Sequence, residues 1–162
     1  MAEFLKGNWG NLASVLGLGI SLCVLWIAKK ARDAAEEARL FARIKSLVEE
    51  LEDANHKTQR AGVYLRDQKW EIAQLLTDEI LGACRASLAR WGDQLRDSKN
   101  NLLRACTVLS SVGESCRSAA TAPLAEDAWR QTMAAQLEAL QLVGSTLGEV
   151  RRAEERSKDA NA

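Results

Sequence analysis

The amino-acid sequence predicts an all-helical protein, with one N-terminal transmembrane helix that continues into a cytosolic helical bundle. Three observations support this prediction. The run from Trp9 to Ala28 contains no charged residue, and three basic residues follow it closely. Aromatic residues make up only 5% of the chain and there is one proline, a composition that favours long helices over sheets. Beyond the run, apolar residues recur at steps of three and four, which is the period of one helix face.

Residues 9–28 form the predicted transmembrane helix, and residues 1–8 form a short extracytoplasmic tail. At about 1.5 Å of rise per residue the run makes a helix of roughly 30 Å, the hydrocarbon thickness of a typical bilayer. A cleavable signal peptide is the alternative, but the leader has no basic region and Trp26-Ile27-Ala28 is a poor cleavage site. Trp9 and Trp26, near the two ends of the run, are expected to be interfacial anchors.

Basic residues are concentrated on the C-terminal side of the run. Lys29, Lys30 and Arg32 follow it directly, whereas Lys6 alone precedes it. By the positive-inside rule this asymmetry predicts a single-pass protein of the bacterial inner membrane, with its N-terminus outside and its C-terminal domain in the cytoplasm. We interpret the three residues as a topogenic flank rather than a dedicated site for anionic lipid, because acidic residues follow at once.

Small side chains line one face of the predicted span. Gly10, Ser14, Gly17 and Ser21 recur at steps of four, three and four residues. Helices in lipid gain no hydrophobic energy by pairing, so close contact at small residues and hydroxyl hydrogen bonds drive their association. The spacing therefore predicts a helix-packing face for self-association. The alternative is a chance spacing, since Gly and Ser are common in single spans.

Residues 29–156 are expected to form an antiparallel bundle of three long helices, or of four if the middle one breaks. Residues 157–162 are expected to form a flexible tail. The expected helices span about 29–65, 69–117 and 123–156. The first is expected to continue the membrane helix without a joint. Its apolar stripe is wider than the two-position seam of a coiled coil, which suggests packing against more than one neighbour. The residues expected in the core are Phe41, Ile44, Val48, Leu51, Trp70, Trp91 and Trp129.

Local residues indicate where the helices of the bundle end. A turn is expected at Arg66 to Gln68, with Asp67 as a capping residue. In the middle region the preserved apolar seam favours one helix, whereas Gly92 and the polar residues after it favour a break; we lean towards continuity. The segment 113–122 is expected to interrupt the helices, and Pro123 to lie in the first turn of the last helix.

Two resemblances concern the layout of the chain. Val63-Tyr64-Leu65, a polar turn and the segment from Trp70 to Ala73 resemble the inter-helix turns of tetratricopeptide repeats, but that motif recurs at about 34 residues and no second copy follows. Over most of its length the chain resembles uncharacterised bacterial single-span proteins with an N-terminal anchor and a cytosolic helical hairpin or bundle. That resemblance implies the same architecture here and no particular activity.

The composition and the motifs argue against several functions. Lys plus Arg and Asp plus Glu both total 22, so no positive field is available to hold nucleic acid. There is no phosphate loop or nucleophile motif, and the sole histidine, His56, lies in a polar stretch. We therefore expect no enzyme activity, cofactor, metal site or small-molecule substrate. Cys23, Cys84, Cys106 and Cys116 lack the spacing of a disulfide framework and are expected to be free thiols.

These observations predict a non-catalytic, membrane-tethered interaction or scaffolding module. It would hold a cytosolic protein partner, or copies of itself, at the inner membrane, with the lipid bilayer as its other partner. Two alternatives are a small membrane-perturbing effector that assembles through its span and a regulatory subunit of a larger membrane complex. We interpret the bundle tryptophans as packing residues rather than the lining of a ligand pocket, and Glu49 and Glu50 as surface charges.

Overall fold

Four α-helices make up the described part of the protein. The structure, a computed structural model, describes residues 2–93, 95 and 98–159, with side chains from residue 17 onward except those of 157 and 159. The helices are α1 (Ala2–Arg66), α2 (Trp70–Trp91), α3 (Ser98–Thr121) and α4 (Glu126–Asp159). No strand occurs within these ranges. The predicted all-helical class is confirmed.

The chain divides into two compact units, and the division lies within α1. The first unit ends at Ala42, and its described residues, 2–42, all belong to α1. Every side chain from position 17 to position 40 is exposed, so this stretch has no buried face. The second unit, here called the bundle, comprises residues 43–162 and contains the rest of α1 with α2, α3 and α4.

Each helix of the bundle buries one face, because its apolar and small residues recur at steps of three and four. The four faces together form the core of the bundle. The buried residues are Leu47, Val48, Leu51, Ala54, Thr58, Ala61 and Leu65 in α1, Ala73, Leu76, Thr77, Ile80, Cys84, Ser87 and Trp91 in α2, Ser98, Leu102, Ala105, Cys106, Leu109, Val112, Gly113, Cys116 and Ala119 in α3, and Thr132, Gln136, Ala139, Val143, Thr146, Leu147 and Val150 in α4.

Neighbouring helices of the bundle run antiparallel. Between two neighbours, contacting residues have rising numbers on one helix and falling numbers on the other, which gives an up-down-up-down bundle in which α4 returns beside α1. The contacts are Glu50 with Arg90 and Lys57 with Glu79 (α1 and α2), Thr77 and Asp78 with Gly113 (α2 and α3), Ser98 with Glu149 and Arg104 with Glu138 (α3 and α4), and Glu52 with Arg151 and Thr58 with Gln136 (α1 and α4).

The bundle has two ends with different connections. The end formed by residues 43–52 of α1, here called the entry end, also contains the α2–α3 connection and the last turns of α4. The opposite end, here called the turn end, contains the α1–α2 turn and the α3–α4 connection. These positions follow from the antiparallel order of the helices.

Polar groups in the core are mostly satisfied within their own helix. The buried Thr58 and Thr77 hydroxyls donate to the carbonyl oxygens of Ala54 and Ala73, four residues earlier, at 2.7 and 2.8 Å. Gln136, only 2% exposed, instead donates from Nε2 to the Thr58 carbonyl of α1 at 2.7 Å. Its Oε1 atom is buried and has no hydrogen-bond partner among the described residues. This amide is therefore a buried polar contact between α4 and α1.

The expected continuity of the middle helix is wrong, and the four-helix alternative is right. α2 ends at Trp91 and α3 begins at Ser98. Gly92 permits the close turn, since a Cβ atom there would lie 2.5 Å from the Leu88 carbonyl oxygen. Leu95, 3% exposed, closes the connection over the core. The apolar residues keep one continuous period across the break because α2 and α3 both direct their apolar faces towards the same core.

The α3–α4 connection lies later in the chain than expected. α3 continues through Gly113 to Thr121, so the predicted interruption at 113–122 is wrong over nearly all of its length. Gly113 is buried, and a Cβ atom there would lie 3.6 Å from Asp78 Oδ1, so this glycine marks the contact between α3 and α2. Pro123 precedes α4, which begins only at Glu126, and is not in its first turn.

The turn between α1 and α2 is where the sequence predicts it. Residues 67 and 68 form the turn, and Gln68 adopts a left-handed conformation with φ of 57°. The Lys69 N–H donates to the Tyr64 carbonyl at 2.8 Å, which closes the end of α1. The predicted cap is wrong, because α2 has no side-chain cap and the Asp67 carboxylate instead lies 3.7 Å from the Lys69 ammonium.

Replacing Leu102 by alanine is expected to destabilise the bundle, because this side chain is fully buried and its truncation leaves a cavity. The expected loss is about 2–5 kcal/mol of the free energy of unfolding. Leu103→Ala is the matched control, since Leu103 is 48% exposed and its truncation is expected to cost about 0.5 kcal/mol or less. Urea unfolding followed by circular dichroism measures both losses. Equal losses would contradict the inner face assigned to α3.

Candidate functional site

Residues 17–28 of α1, here called the apolar segment, are the candidate functional site. Their large apolar side chains are 59–67% exposed on all sides of the helix. A helix that is apolar all round is normally buried, either in a protein core or in a membrane. The exposed side chains are Leu18, Ile20, Leu22, Val24, Leu25, Trp26 and Ile27.

The predicted basic flank lies directly after the apolar segment, and all of its side chains are exposed. The Lys30 ammonium lies 5.5 Å from the centre of the Trp26 ring, within the range of a cation–π contact. Arg32 forms an ion pair with Glu36 at 2.9 Å, whereas no ion pair is described for Lys29. The end of the apolar segment thus combines an aromatic ring with positive charge.

Only part of the predicted packing face, Gly17 and Ser21, lies where the structure describes side chains. A Cβ atom at Gly17 would have no neighbour within 4 Å, and the Ser21 hydroxyl donates to the Gly17 carbonyl at 2.8 Å. The backbone at Gly17 is therefore open to close approach, and Ser21 is satisfied within its own helix. The side chains of Gly10, Ser14 and the predicted anchor Trp9 lie outside the described part, so the face stays a prediction.

Among the helices whose side chains the structure describes, none has a stretch long and apolar enough to cross a membrane. The side chains of residues 9–16, the first part of the predicted span, are not described, so this finding does not cover them.

Glu50 joins α1 to α2 at the entry end. Its Oε2 atom accepts hydrogen bonds from the Ser87 hydroxyl at 2.9 Å and from the Trp91 indole N–H at 3.3 Å. Its Oε1 atom accepts a bond from Arg90 at 2.6 Å. The interpretation of Glu50 as a surface charge is wrong, because its side chain is only 28% exposed and its partners are on another helix. Glu49, next in sequence, is exposed as expected.

The residues predicted for the core divide into two groups. Val48, Leu51 and Trp91 are buried, while Phe41, Ile44, Trp70 and Trp129 are only partly buried. Trp70 packs against the cluster formed by Leu65, Ala73, Val112 and Cys116.

A cavity of about 640 Å³ lies at the turn end of the bundle, between the two connections there. Gln68, Trp70, Glu126, Trp129 and residues 119–124 line it. The structure thus brings Trp70 and Trp129 to one pocket, which is the interpretation that the sequence disfavours. The Trp129 indole N–H is buried and has no hydrogen-bond partner among the described residues. The pocket is a second candidate surface for binding.

The thiols of the bundle are buried and free, as expected. Cys84 and Cys116 are fully buried, Cys106 is 9% exposed, and Cys23 is exposed on the apolar segment. Burial, together with the negative charge of Asp78, raises the pKa of the Cys116 thiol to about 11. The exposed His56 and the acidic residues form no group that could hold a metal ion within the described ranges.

Comparison with protein-family models, curated proteins and solved structures finds no match for the chain.

Replacing Glu50 by alanine is expected to loosen the entry end. Ser87 and Trp91 are buried and would lose their acceptor, which costs about 1–3 kcal/mol of the free energy of unfolding. Glu49→Ala is the matched control, because its ion pair with Lys45 is long, at 4.0 Å, and exposed, so its loss costs about 0.5 kcal/mol or less. Urea unfolding measures the two losses. A cost for Glu49→Ala as large as that for Glu50→Ala would contradict the assigned role.

Cys116 is expected to make the bundle less stable in alkali. Its pKa rises from an ordinary value of 9.0 to about 11 on folding, so between these values the unfolded chain releases a proton that the folded protein retains. The stabilising contribution is complete below pH 9 and is lost as the pH rises towards 11. Cys116→Ala should therefore show a flatter decline of unfolding free energy between pH 9.0 and about pH 11. An equally steep decline would contradict this effect.

Proposed function

We propose that the protein is a non-catalytic helical interaction module, tethered to the bacterial inner membrane by the run from Trp9 to Ala28. The exposure of the apolar segment is the observation that carries this proposal. Fully burying one large apolar side chain stabilises by about 1.5–3 kcal/mol, so several such side chains left in water carry a large cost. Insertion into a bilayer removes that cost, while the helix satisfies its own backbone hydrogen bonds.

The charges beside the segment support a defined orientation. Lys29, Lys30 and Arg32 are exposed and follow the apolar residues, whereas Lys6 alone precedes them, which favours retention of the C-terminal side in the cytoplasm. The contact between Lys30 and Trp26 joins two residue types that favour the membrane–water interface. On this proposal, the bundle is cytoplasmic and the short N-terminal tail is outside.

The bundle is the part that we propose holds the partner. It has its own core and its helices bury one face each, so it does not need its partner to complete that core. The turn-end pocket is lined by Trp70 and Trp129, and tryptophan is enriched among residues that dominate protein interfaces. The partner is therefore proposed to be a protein that contacts the turn end.

Self-association through the span is compatible with this proposal. Gly17 leaves the helix surface open to close approach by a second copy. The alternative of a membrane-perturbing effector requires such association and, in addition, a loss of membrane potential on expression. The alternative of a regulatory subunit requires that the span packs against a different protein. Crosslinking in native membranes followed by mass spectrometry separates self-contacts from contacts with other proteins.

The tether is tested by placing charge in the apolar segment. The unaltered chain is expected in the membrane fraction and resistant to alkaline carbonate. Leu18→Arg combined with Leu22→Arg should move it to the soluble fraction, because each arginine opposes insertion by about 2.5–3.5 kcal/mol near the helix centre. Leu75→Arg is the matched control, since Leu75 is an exposed leucine of the bundle, and this variant should stay with the membranes.

Recovery of the intact, unaltered chain in the soluble fraction would contradict the tether. Equal behaviour of the double variant and the Leu75→Arg control would contradict the assignment of the apolar segment as its membrane-contacting part. A collapse of membrane potential on expression of the unaltered chain would replace the proposal by the effector alternative.

A further inference from the structure

The antiparallel register of α2 and α3 brings two cysteines face to face. A Cβ atom at Gly113 would lie 3.7 Å from Thr77 Cγ2, so these positions are opposite each other. Seven residues make about two helical turns and return to the same helix face. Counting seven residues towards the entry end on each helix leads from Thr77 to Cys84 and from Gly113 to Cys106. The two thiols are therefore expected at the same level and on facing sides.

The side-chain environment agrees with this register. Cys84 and Cys106 belong to the same core cluster, and each thiol shifts the pKa of the other, as two neighbouring groups do. Both are free thiols. Cys116 is on the same face of α3, but it belongs to a different cluster nearer the turn end. The two facing thiols are thus a pair, and the third buried thiol stands apart from them.

The two thiols of the pair are not equivalent. The hydrogen bond from Cys84 lowers the pKa of Cys106 below its ordinary value, and the positive charge of Arg85 acts in the same direction against the effect of burial. The hydrogen bond with Cys106 and burial raise the pKa of Cys84. Cys106 is also the more exposed, at 9% against 0%. Because the thiolate is the nucleophile, Cys106 is the one suited to react first.

We propose that Cys84 and Cys106 form a redox modification site, at which a small disulfide oxidant such as glutathione disulfide links α2 to α3. The Cys106 thiolate attacks one sulfur of the oxidant, breaks its S–S bond and releases one glutathione thiolate. The Cys84 thiolate then attacks the Cys106 sulfur of the mixed disulfide and releases the second glutathione. Two cysteine thiols are oxidised, one glutathione disulfide is reduced to two glutathiones, and these take up the two protons.

The link would act on the connection between the helices. It would close the loop of residues 84–106, which contains the break between α2 and α3, and would restrict the separation of these helices. Oxidation needs a local opening that admits the oxidant to Cys106, so its rate reports how often this side of the bundle opens. The site is independent of the membrane tether, because it lies wholly within the bundle.

The test uses the full chain with Cys23→Ser, which removes the exposed thiol and leaves Cys84, Cys106 and Cys116. The reduced protein is incubated with glutathione disulfide under native conditions, quenched with acid, alkylated in denaturant and digested for mass spectrometry. The expected result is a peptide pair linked through Cys84 and Cys106, with the Cys116 thiol fully alkylated. Adding Cys116→Ser, the matched control for the loss of a buried thiol, should leave the linked pair unchanged.

The order of reaction is tested with single replacements in the same background. Cys84→Ser should accumulate a glutathione adduct on Cys106, whereas Cys106→Ser should leave Cys84 unmodified. Circular dichroism checks that each variant is folded. If a single variant does not fold, the linked-peptide experiment on the protein with both thiols decides the proposal. A pair that stays fully alkylated after native incubation, a link that includes Cys116, or a link that forms only in denaturant would overturn the proposal. An adduct on Cys84 in the Cys106→Ser variant would overturn the assigned order.

Discussion

The close approach of four helices around one core is the constraint on which the rest of the bundle depends. Small residues occupy many of its innermost positions, and Ala61, Ala73, Ala105 and Ala139 are all fully buried. The buried threonine hydroxyls donate to carbonyls of their own helices, so these polar groups are paired inside the core. The same core holds Cys84 of α2 and Cys106 of α3 in one cluster.

The two ends of the bundle meet this constraint differently. At the entry end, side-chain bonds join the helices: Glu50 accepts from α2, Glu149 of α4 accepts from Ser98 of α3, and Arg151 donates to Glu52. At the turn end a pocket lies between the two connections, and the Trp129 indole N–H beside it has no hydrogen-bond partner among the described residues. A bundle tethered through α1 would thus have its more strongly bonded end at the point where α1 enters.

Helix periodicity made the helical class and the α1–α2 turn predictable, because both depend on residues close in sequence. The break after Trp91 was not predictable from periodicity, because two antiparallel helices that face one core show the same apolar period as one long helix. Gly113 looked like a breaker because its helix propensity is poor, and only the opposing α2 explains why a glycine lies there. The bonds of Glu50 and the shared pocket of Trp70 and Trp129 join residues far apart in the chain, so no local pattern indicates them.

The amide of Gln136 has a consequence for how the helices find their alignment. Its bond to the Thr58 carbonyl joins one side chain to one backbone atom, whereas apolar contacts between α1 and α4 tolerate a shift along the helix axis. A slide of one turn would bring Thr58 or Arg66 to the place of Gly62, where a Cβ atom alone would already lie 3.7 Å from Gln136 Cγ. The larger side chain would displace the amide from its carbonyl, and an unpaired buried N–H costs about 1–3 kcal/mol. A single buried glutamine thus selects one axial alignment among several that the hydrophobic effect alone would accept.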